Sequence, residues 1–267
     1  MIFAFDLDGV IYAGDELLGG AVEAVATARA LGYATYFITN NSRQESVELS
    51  VKLQSMGLDV APREVISAVE TAGRLVSQID GPPQSAMVIG SPSLREVIGK
   101  SGVRALSYDD TDPIDVFVLG LDHAINYQKL LAAHRVLERA NVRFVAVNND
   151  VTFASEGGTV PGLGAIVSAV SAAAGRAPDF VAGKPEPHMF NRILELEGAE
   201  ARELIVFGDS LYSDIGGAKA IGARTVLVLT GVDGREDVAT APLERQPDWI
   251  IESLNAIPFA EIAGAKS

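Results

Sequence analysis

An alternation that runs the length of the chain constrains the fold more than any other feature. Short runs of β-branched, aromatic and aliphatic residues lie at 2–5, 34–38, 87–89, 116–119, 144–147, 180–182, 204–207, 225–229 and 249–251. Between them sit longer segments of helical character, among them 20–31, 43–56, 127–140 and 163–174. Apolar runs without polar alternation belong in strands covered on both faces. The pattern therefore predicts an α/β protein with mostly parallel sheets. Gly81-Pro82-Pro83 and Gly175-Arg176-Ala177-Pro178 break the pattern and mark the middle of the chain as a separate unit. The strands could form one sheet or two.

Composition removes several functions. With 48 % hydrophobic residues the chain has ample material for a core, which excludes a disordered or fibrous protein. Its 21 basic and 35 acidic residues leave a net charge of −14, a poor match for nucleic acid or an anionic membrane. An anionic substrate would need locally placed positive charge or a metal. The absence of cysteine excludes disulfides, thiolate metal sites and cysteine nucleophiles. The first basic side chain is Arg29, so no signal-peptide n-region is expected. The longest apolar stretch, around 163–174, is interrupted by serines and too short to span a bilayer. The expectation is a cytoplasmic protein.

In an open parallel sheet, ligands bind beyond the carboxyl ends of the strands. Those ends are where the polar motifs fall. The first strand runs into Asp6-Leu7-Asp8-Gly9-Val10, the second into Thr39-Asn40-Asn41-Ser42. Strand 180–182 runs into Gly183-Lys184-Pro185, and strand 204–207 into Gly208-Asp209-Ser210 with Asp214 beyond. Each group alone has an ordinary reading. An aspartate after a strand caps a helix or forms a turn. Ser42 with Glu45 reads as a capping box, Asp214 as a first-turn helix acid, and Lys184 as a surface lysine. The functional argument rests on their conjunction.

That conjunction fits phosphoryl transfer through an aspartyl-phosphate. Asp6 and Asp8, two residues apart, can project together from a strand end. Asp6 is the candidate nucleophile. Asp8 is the candidate general acid and then general base, kept protonated for the first step by its like-charged neighbour. A carboxylate attacking a phosphate dianion meets repulsion. Asp6, Asp209 and a backbone carbonyl are hard oxygen ligands suited to Mg²⁺. Lys184 adds a point charge. Thr39 adds a hydroxyl, and backbone N–H groups near Asn40 are expected to open a helix N-terminus.

These motifs, in this order, resemble those of the haloacid dehalogenase-like phosphatases, and the long insert resembles the C2-type cap of their NagD-like subfamily. That subfamily includes 4-nitrophenylphosphatases, phosphoglycolate phosphatases and pyridoxal phosphate phosphatases. Further similarities lie in Thr39-Asn40-Asn41-Ser42-Arg43, in Gly120-Leu121-Asp122 followed by Tyr127 and Lys129, in Asn148-Asn149-Asp150, in Pro161-Gly162-Leu163-Gly164 and in Gly183-Lys184-Pro185-Glu186-Pro187. The resemblance implies a Rossmann-like core at 1–70 and 180–267 and an inserted α/β cap at 71–179. It implies Mg²⁺ on Asp6, the Asp8 carbonyl and Asp209. Phosphate or substrate contacts would come from Thr39, Asn40, Asn41 and Lys184, with support from Asp214 and Ser210. The resemblance also implies that Phe153 falls at a substrate-facing cap position where relatives often carry a polar residue or histidine, so a relative's substrate preference is not expected to carry over from the resemblance alone. Gly19-Gly20-Ala21 lacks a proline common before this Gly-Ala. Asp8 argues against the dehalogenase branch, which lacks that acid.

The substrate expected is a small phosphate ester, with a homodimer through the cap an open alternative. A phosphotransferase or mutase would use the same intermediate. A phospho-acceptor signalling module would be shorter, carry adjacent acidic residues after its first strand and lack the insert. His123, His134 and His188 have no metal-binding spacing. Gly99-Lys100-Ser101 lacks the upstream glycine of a P-loop, since Leu94 stands there, and Gly162-Leu163-Gly164 lacks the third glycine of a dinucleotide fingerprint, since Val167 does.

Overall fold

The computed structural model describes residues 1–155 and 158–264. Its first stretch holds β1 (Ile2–Asp6), the hairpin strands β2 (Tyr12–Ala13) and β3 (Glu16–Leu17), α1 (Ala21–Ala30), β4 (Ala34–Thr39), α2 (Ser46–Ser55) and β5 (Val65–Ser67). The middle holds α3 (Ala68–Ser77), β6 (Ser85–Ile89), α4 (Pro92–Lys100), β7 (Arg104–Leu106), β8 (Val116–Leu119), α5 (Tyr127–Leu137) and β9 (Arg143–Ala146). It continues with β10 (Thr152–Ser155), β11 (Gly158–Pro161), α6 (Leu163–Ala174) and β12 (Phe180–Val181). The last stretch holds α7 (His188–Glu197), β13 (Leu204–Gly208), a π-helical turn (Leu211–Gly216) running into α8 (Gly217–Ala220), β14 (Arg224–Val228), α9 (Arg235–Thr240), β15 (Trp249–Ile251) and α10 (Phe259–Gly264).

The chain divides into two compact units. The first comprises Met1–Thr39, Leu49–Ile66 and the chain from Lys184 onward; the second comprises Asn40–Glu48 and Ser67–Gly183. The fold is α/β with a parallel sheet at its core, as the alternation predicts, and the strands form two principal sheets.

The sheet of the first unit has the order β15-β14-β13-β1-β4-β5. Strand β1 lies between β4 and β13 and is parallel to both. The chain leaves β1 toward β4 on one side and comes back to β13 on the other. The carboxyl end of β1 is therefore a topological switch point, where connections diverge and leave a crevice. Asp6 is the last residue of β1, opposite Ile38, and Phe5 lies opposite Phe207. The register thus brings the ends of all three strands to one level. Beneath them is an aromatic layer. Phe5 stacks on Phe207 at 4.8 Å, and Phe3 lies 5.0 Å from Phe207 and 5.9 Å from Phe259. Every residue of β1 and β13 is buried, so these strands have no face for water and their ends do not move independently of the core.

The second unit carries a parallel sheet of order β12-β9-β8-β6-β7 and a β10–β11 hairpin. Phe117 and Phe144 pack 5.2 Å apart within it. Its helices begin with the caps their sequences offer. Ser67 accepts from the Glu70 N–H, Ser91 from that of Leu94 ahead of Pro92, and Asn126 from that of Lys129. Gly162 and Gly164 bring the hairpin back against the Asn149–Asp150 backbone. A Cβ on Gly164 would lie 2.4 Å from the Asn149 carbonyl oxygen, so only glycine fits.

Two expectations are corrected. The helix assigned to 43–56 starts at Ser46, because the Asn41 side-chain carbonyl takes the Arg43 and Gln44 N–H groups and holds them in a turn. The capping box assigned to Ser42 and Glu45 accordingly shifts: the Glu48 carboxylate accepts from the Glu45 N–H at 3.0 Å. The strands β2, β3, β5, β7, β10 and β11 carry too little periodic sequence to be read as strands. Among the described residues no helix is long and apolar enough to cross a membrane.

Phe207→Ala removes a fully buried ring from the aromatic layer. It should lower the unfolding free energy by about 3–5 kcal/mol. Urea denaturation followed by the single tryptophan, Trp249 of β15, measures this; a loss under about 1 kcal/mol would mean the layer is not the core of that unit.

Candidate active site

The carboxyl ends of β1 and β13, the segment that opens at Lys184 and the turn after β13 bring four buried charges together. Lys184 is 3 % exposed, Asp6 6 %, Asp209 5 % and Asp214 1 %. The Lys184 ammonium lies 2.6 Å from Asp6 Oδ1 and 2.6 Å from Asp214 Oδ1, donating to both. One oxygen from each of Asp6, Asp209 and Asp214 falls within 4.8 Å of the others. Asp214 is placed by the π-helical turn. Ser210 caps that turn by accepting from the Ser213 N–H, and its own N–H donates to Asp214 Oδ2 at 3.2 Å. Asp214 is thus held from both sides.

Glycines make room for the carboxylates. A Cβ on Gly208 would lie 2.1 Å from that of Asp214. A Cβ on Gly231 would come within 1.8 Å of Asp209 Oδ2, and one on Gly9 within 2.2 Å of it. Gly9 also has φ +85°, in the left-handed region that disfavours side chains. Around this cradle the Val232 N–H donates to Asp209 Oδ2 at 2.9 Å, the Asp233 N–H to the Asp209 carbonyl at 3.0 Å, and the Thr230 hydroxyl to the Gly9 carbonyl at 2.6 Å. The Asp233 carboxylate in turn accepts from the Leu211 N–H at 2.6 Å.

The electrostatics follow from burial and crowding. Burial pushes the Asp6 pKa well above the usual carboxylate value; Lys184 pulls it back, while Asp214 and Asp209 add repulsion. Burial, then the Asp214 charge, raise Asp209 to about 7 against the Val232 N–H and Lys184. Burial opposes the Lys184 charge, but Asp214 and Asp6 overcome it and hold the ammonium above the usual lysine value. Asp8 stands apart. It keeps a solvent-exposed edge while the protein around its carboxyl desolvates it and raises its pKa, opposed by the Tyr12 hydrogen bond and by Lys52 and Lys184. Tyr12, desolvated and facing Asp8 and Asp6, is pushed up and stays a donor.

Three carboxylates facing one ammonium leave the cluster with excess negative charge, and its donors are hard oxygens. That donor set fits a divalent cation such as Mg²⁺. The side-chain cluster includes Asp214 where the sequence reading names Asp8, whose expected contribution is a backbone carbonyl. Both oxygens of Asp214 are engaged, Oδ1 by Lys184 and Oδ2 by the Ser210 N–H, whereas on Asp6 the ammonium takes one oxygen, Oδ1, so Asp6 and Asp209 are the carboxylates that would hold the ion.

The other nominated residues lie as follows. Thr39 is buried at the end of β4, beside β1. Asn40, Asn41 and Phe153 belong to the second unit. There the Asn40 amide donates to Asp150 Oδ2 at 2.9 Å, and the Asn148 amide to the Asn40 carbonyl at 2.5 Å. The helix expected to open near Asn40 does not begin until Ser46. Phe153, on β10, is 41 % exposed. Sequence reasoning missed Tyr12, Lys52, Thr230, Gly231 and Asp233. Thr230-Gly231 follows the strand read at 225–229, so the strand-end rule applied there would have found it; Tyr12 and Lys52 leave no such signal.

Comparisons with known proteins place the chain. The profile of the haloacid dehalogenase-like hydrolases matches residues 3–104, and a second, HAD-hydrolase-like profile matches 181–257. An acid sugar phosphatase of Staphylococcus epidermidis is 33 % identical over 261 residues, 97 % of each chain. The p-nitrophenyl phosphatase from Archaeoglobus fulgidus superimposes with a TM-score of 0.85 at 33 % identity, covering 94 % of this chain and 95 % of its own. Glycerol phosphate phosphatase from Mycobacterium tuberculosis, in complex with magnesium, gives 0.88 at 30 % identity, covering 95 % of this chain and 75 % of its own.

The cluster's own contribution to stability is present below the ordinary carboxylate value of 3.8 and lost as the pH rises through about 7, because folded Asp209 keeps a proton that the unfolded chain has released. A cation must displace that proton at low pH and not at high pH. Mg²⁺ should therefore raise the melting temperature, relative to EDTA, more at pH 8 than at pH 5.5; equal shifts, or none, would count against the site. Gly231→Ala, which crowds Asp209, should shrink the pH 8 shift to less than half.

Proposed function

The chain belongs to the haloacid dehalogenase-like hydrolases, and from that premise we propose that it is a Mg²⁺-dependent phosphatase that hydrolyses small phosphate monoesters through an aspartyl-phosphate on Asp6. The observation that carries this reading is the buried Lys184 ammonium 2.6 Å from Asp6, with Asp209 alongside, at the switch point of a parallel sheet. The named activities of the relatives, all phosphatases of small esters, support it.

Asp6 is the nucleophile. Its carboxylate oxygen bonds to phosphorus as the ester P–O bond breaks. Asp8, a carboxylic acid at this point, gives its proton to the departing oxygen, so an alcohol leaves and an aspartyl-phosphate remains. Asp8, now a carboxylate, takes a proton from water as the water oxygen bonds to phosphorus. The acyl-phosphate P–O bond breaks, releasing inorganic phosphate and restoring Asp6. Lys184 opposes the rise that burial imposes on the Asp6 pKa and offsets the charge of the incoming phosphate. Asp214 anchors Lys184. Mg²⁺ held by Asp6, the Asp8 carbonyl and Asp209 supplies the remaining positive charge that lets an anionic nucleophile approach an anionic ester. Thr39, Asn40, Asn41 and Lys184 bind the phosphate. Ser210 supports Asp214, and Phe153 contacts the substrate from the cap, residues 71–179.

Phosphate release from a panel of small esters, including 4-nitrophenyl phosphate and glycerol phosphate, tests this directly. The wild type should turn over in Mg²⁺ and stop in EDTA, and Asp6→Asn should fall below about a thousandth of wild type. Folded protein that releases no phosphate, or Asp6→Asn protein with full activity, would overturn the assignment.

A further inference from the structure

The hairpin β2–β3 follows the Asp6–Asp8 loop, and within the first unit it is tied at three points. The Tyr12 hydroxyl donates to Asp8 Oδ2 at 3.2 Å. The Lys52 ammonium, from α2, lies 4.2 Å from the centre of the Tyr12 ring. That ammonium also donates to the Gly14 carbonyl at 2.8 Å and pairs with Asp15 at 3.4 Å, both in the hairpin turn. The Tyr12 ring is 1 % exposed, and its backbone carbonyl accepts from the Gly9 N–H at 2.8 Å. Tyr12 is therefore fixed at its ring face, its backbone and its hydroxyl.

Asp8 is the opposite case. It sits past the end of β1 with a solvent-exposed edge, outside the carboxylate cluster held by Lys184. A short side chain on a loop does not aim itself, and a general acid acts only when its proton lies within hydrogen-bond reach of the leaving oxygen. A hydroxyl donating to Oδ2 leaves Oδ1 to carry the transferred proton. We propose that Tyr12 and Lys52 are positioning residues, Tyr12 aiming the Asp8 carboxyl at the leaving-group oxygen and Lys52 clamping Tyr12 and the hairpin turn.

This rests on the phosphatase reading and deepens it. It also carries a signature that a merely structural role lacks. An alkoxide needs a proton to depart, whereas 4-nitrophenolate leaves with little help, so misaiming Asp8 harms alkyl esters selectively. The experiment measures kcat/KM with Mg²⁺ for glycerol phosphate and for 4-nitrophenyl phosphate. It compares wild type, Tyr12→Phe, Lys52→Gln and Lys52→Arg, with Asp8→Asn as the calibrating variant. Tyr12→Phe keeps the buried ring, and thermal denaturation confirms the fold of each variant. Tyr12→Phe should lose about 10-fold on the alkyl ester and less than about 3-fold on the aryl ester, the same pattern as Asp8→Asn at smaller amplitude. Lys52→Gln should show the same alkyl-selective loss at smaller amplitude, and Lys52→Arg, which keeps a cation over the ring, should return both esters to near wild-type values. Equal losses on both esters in Tyr12→Phe, or no loss on either, overturn the inference while leaving the phosphatase reading intact. A wild type that hydrolyses neither ester overturns the parent reading and the inference with it.

Discussion

A lysine ammonium buried between two carboxylates holds this site together. Taking Lys184, Asp6 and Asp214 out of water costs several kcal/mol per ion, and only short, well-aimed contacts offset such a penalty. Both contacts are 2.6 Å, and the partners come from elements far apart in sequence: the end of β1, the segment after β12 and the turn after β13. Removing Lys184 leaves both carboxylates without their counter-charge, and removing either carboxylate leaves the ammonium with one partner of two. The interaction therefore requires that the strand ends be rigid, and the fully buried strands β1 and β13 and the Phe3–Phe5–Phe207 layer beneath them supply that rigidity.

The remaining carboxylate, Asp209, is governed by shape as much as by charge. Gly9 and Gly231 leave a slot into which the Asp209 carboxylate fits and a side chain at either glycine would intrude, and the Val232 N–H fixes one of its oxygens. The pKa of Asp209 rises to about 7 because the slot is dry and Asp214 is close. A divalent cation reverses that logic by favouring the ionised form, which is why a site of this kind is both destabilising in isolation and suited to its ion. A cluster of this kind would couple folding energetics to cation binding.

Asp6 and Asp8 are two residues apart and live in different environments. Asp6 is locked among charges in the interior, while Asp8 is exposed and borrows its orientation from Tyr12 and, through the ring, from Lys52. The division matches the opposite demands of the proposed roles, a nucleophile that reacts as the carboxylate and an acid that holds and releases a proton.

The order of apolar runs and helical segments determined the fold class by itself, because strands covered on both faces cannot tolerate polar alternation, and that requirement is written locally. The strand ends likewise marked Asp6, Lys184, Asp209 and Asp214, through their conjunction, since any one of them alone also reads as a cap, a turn or a surface charge. Helix starts were less legible: the Asn41 side chain captures the backbone ahead of α2 and moves its first turn to Ser46, a competition that residue spacing does not resolve. Only the tertiary structure decided that Asp214 faces Lys184 from a π-helical turn, that Gly231 walls in Asp209, and that Lys52 sits over Tyr12. Those contacts join residues tens of positions apart, and proximity of that kind comes from packing, which no local pattern encodes.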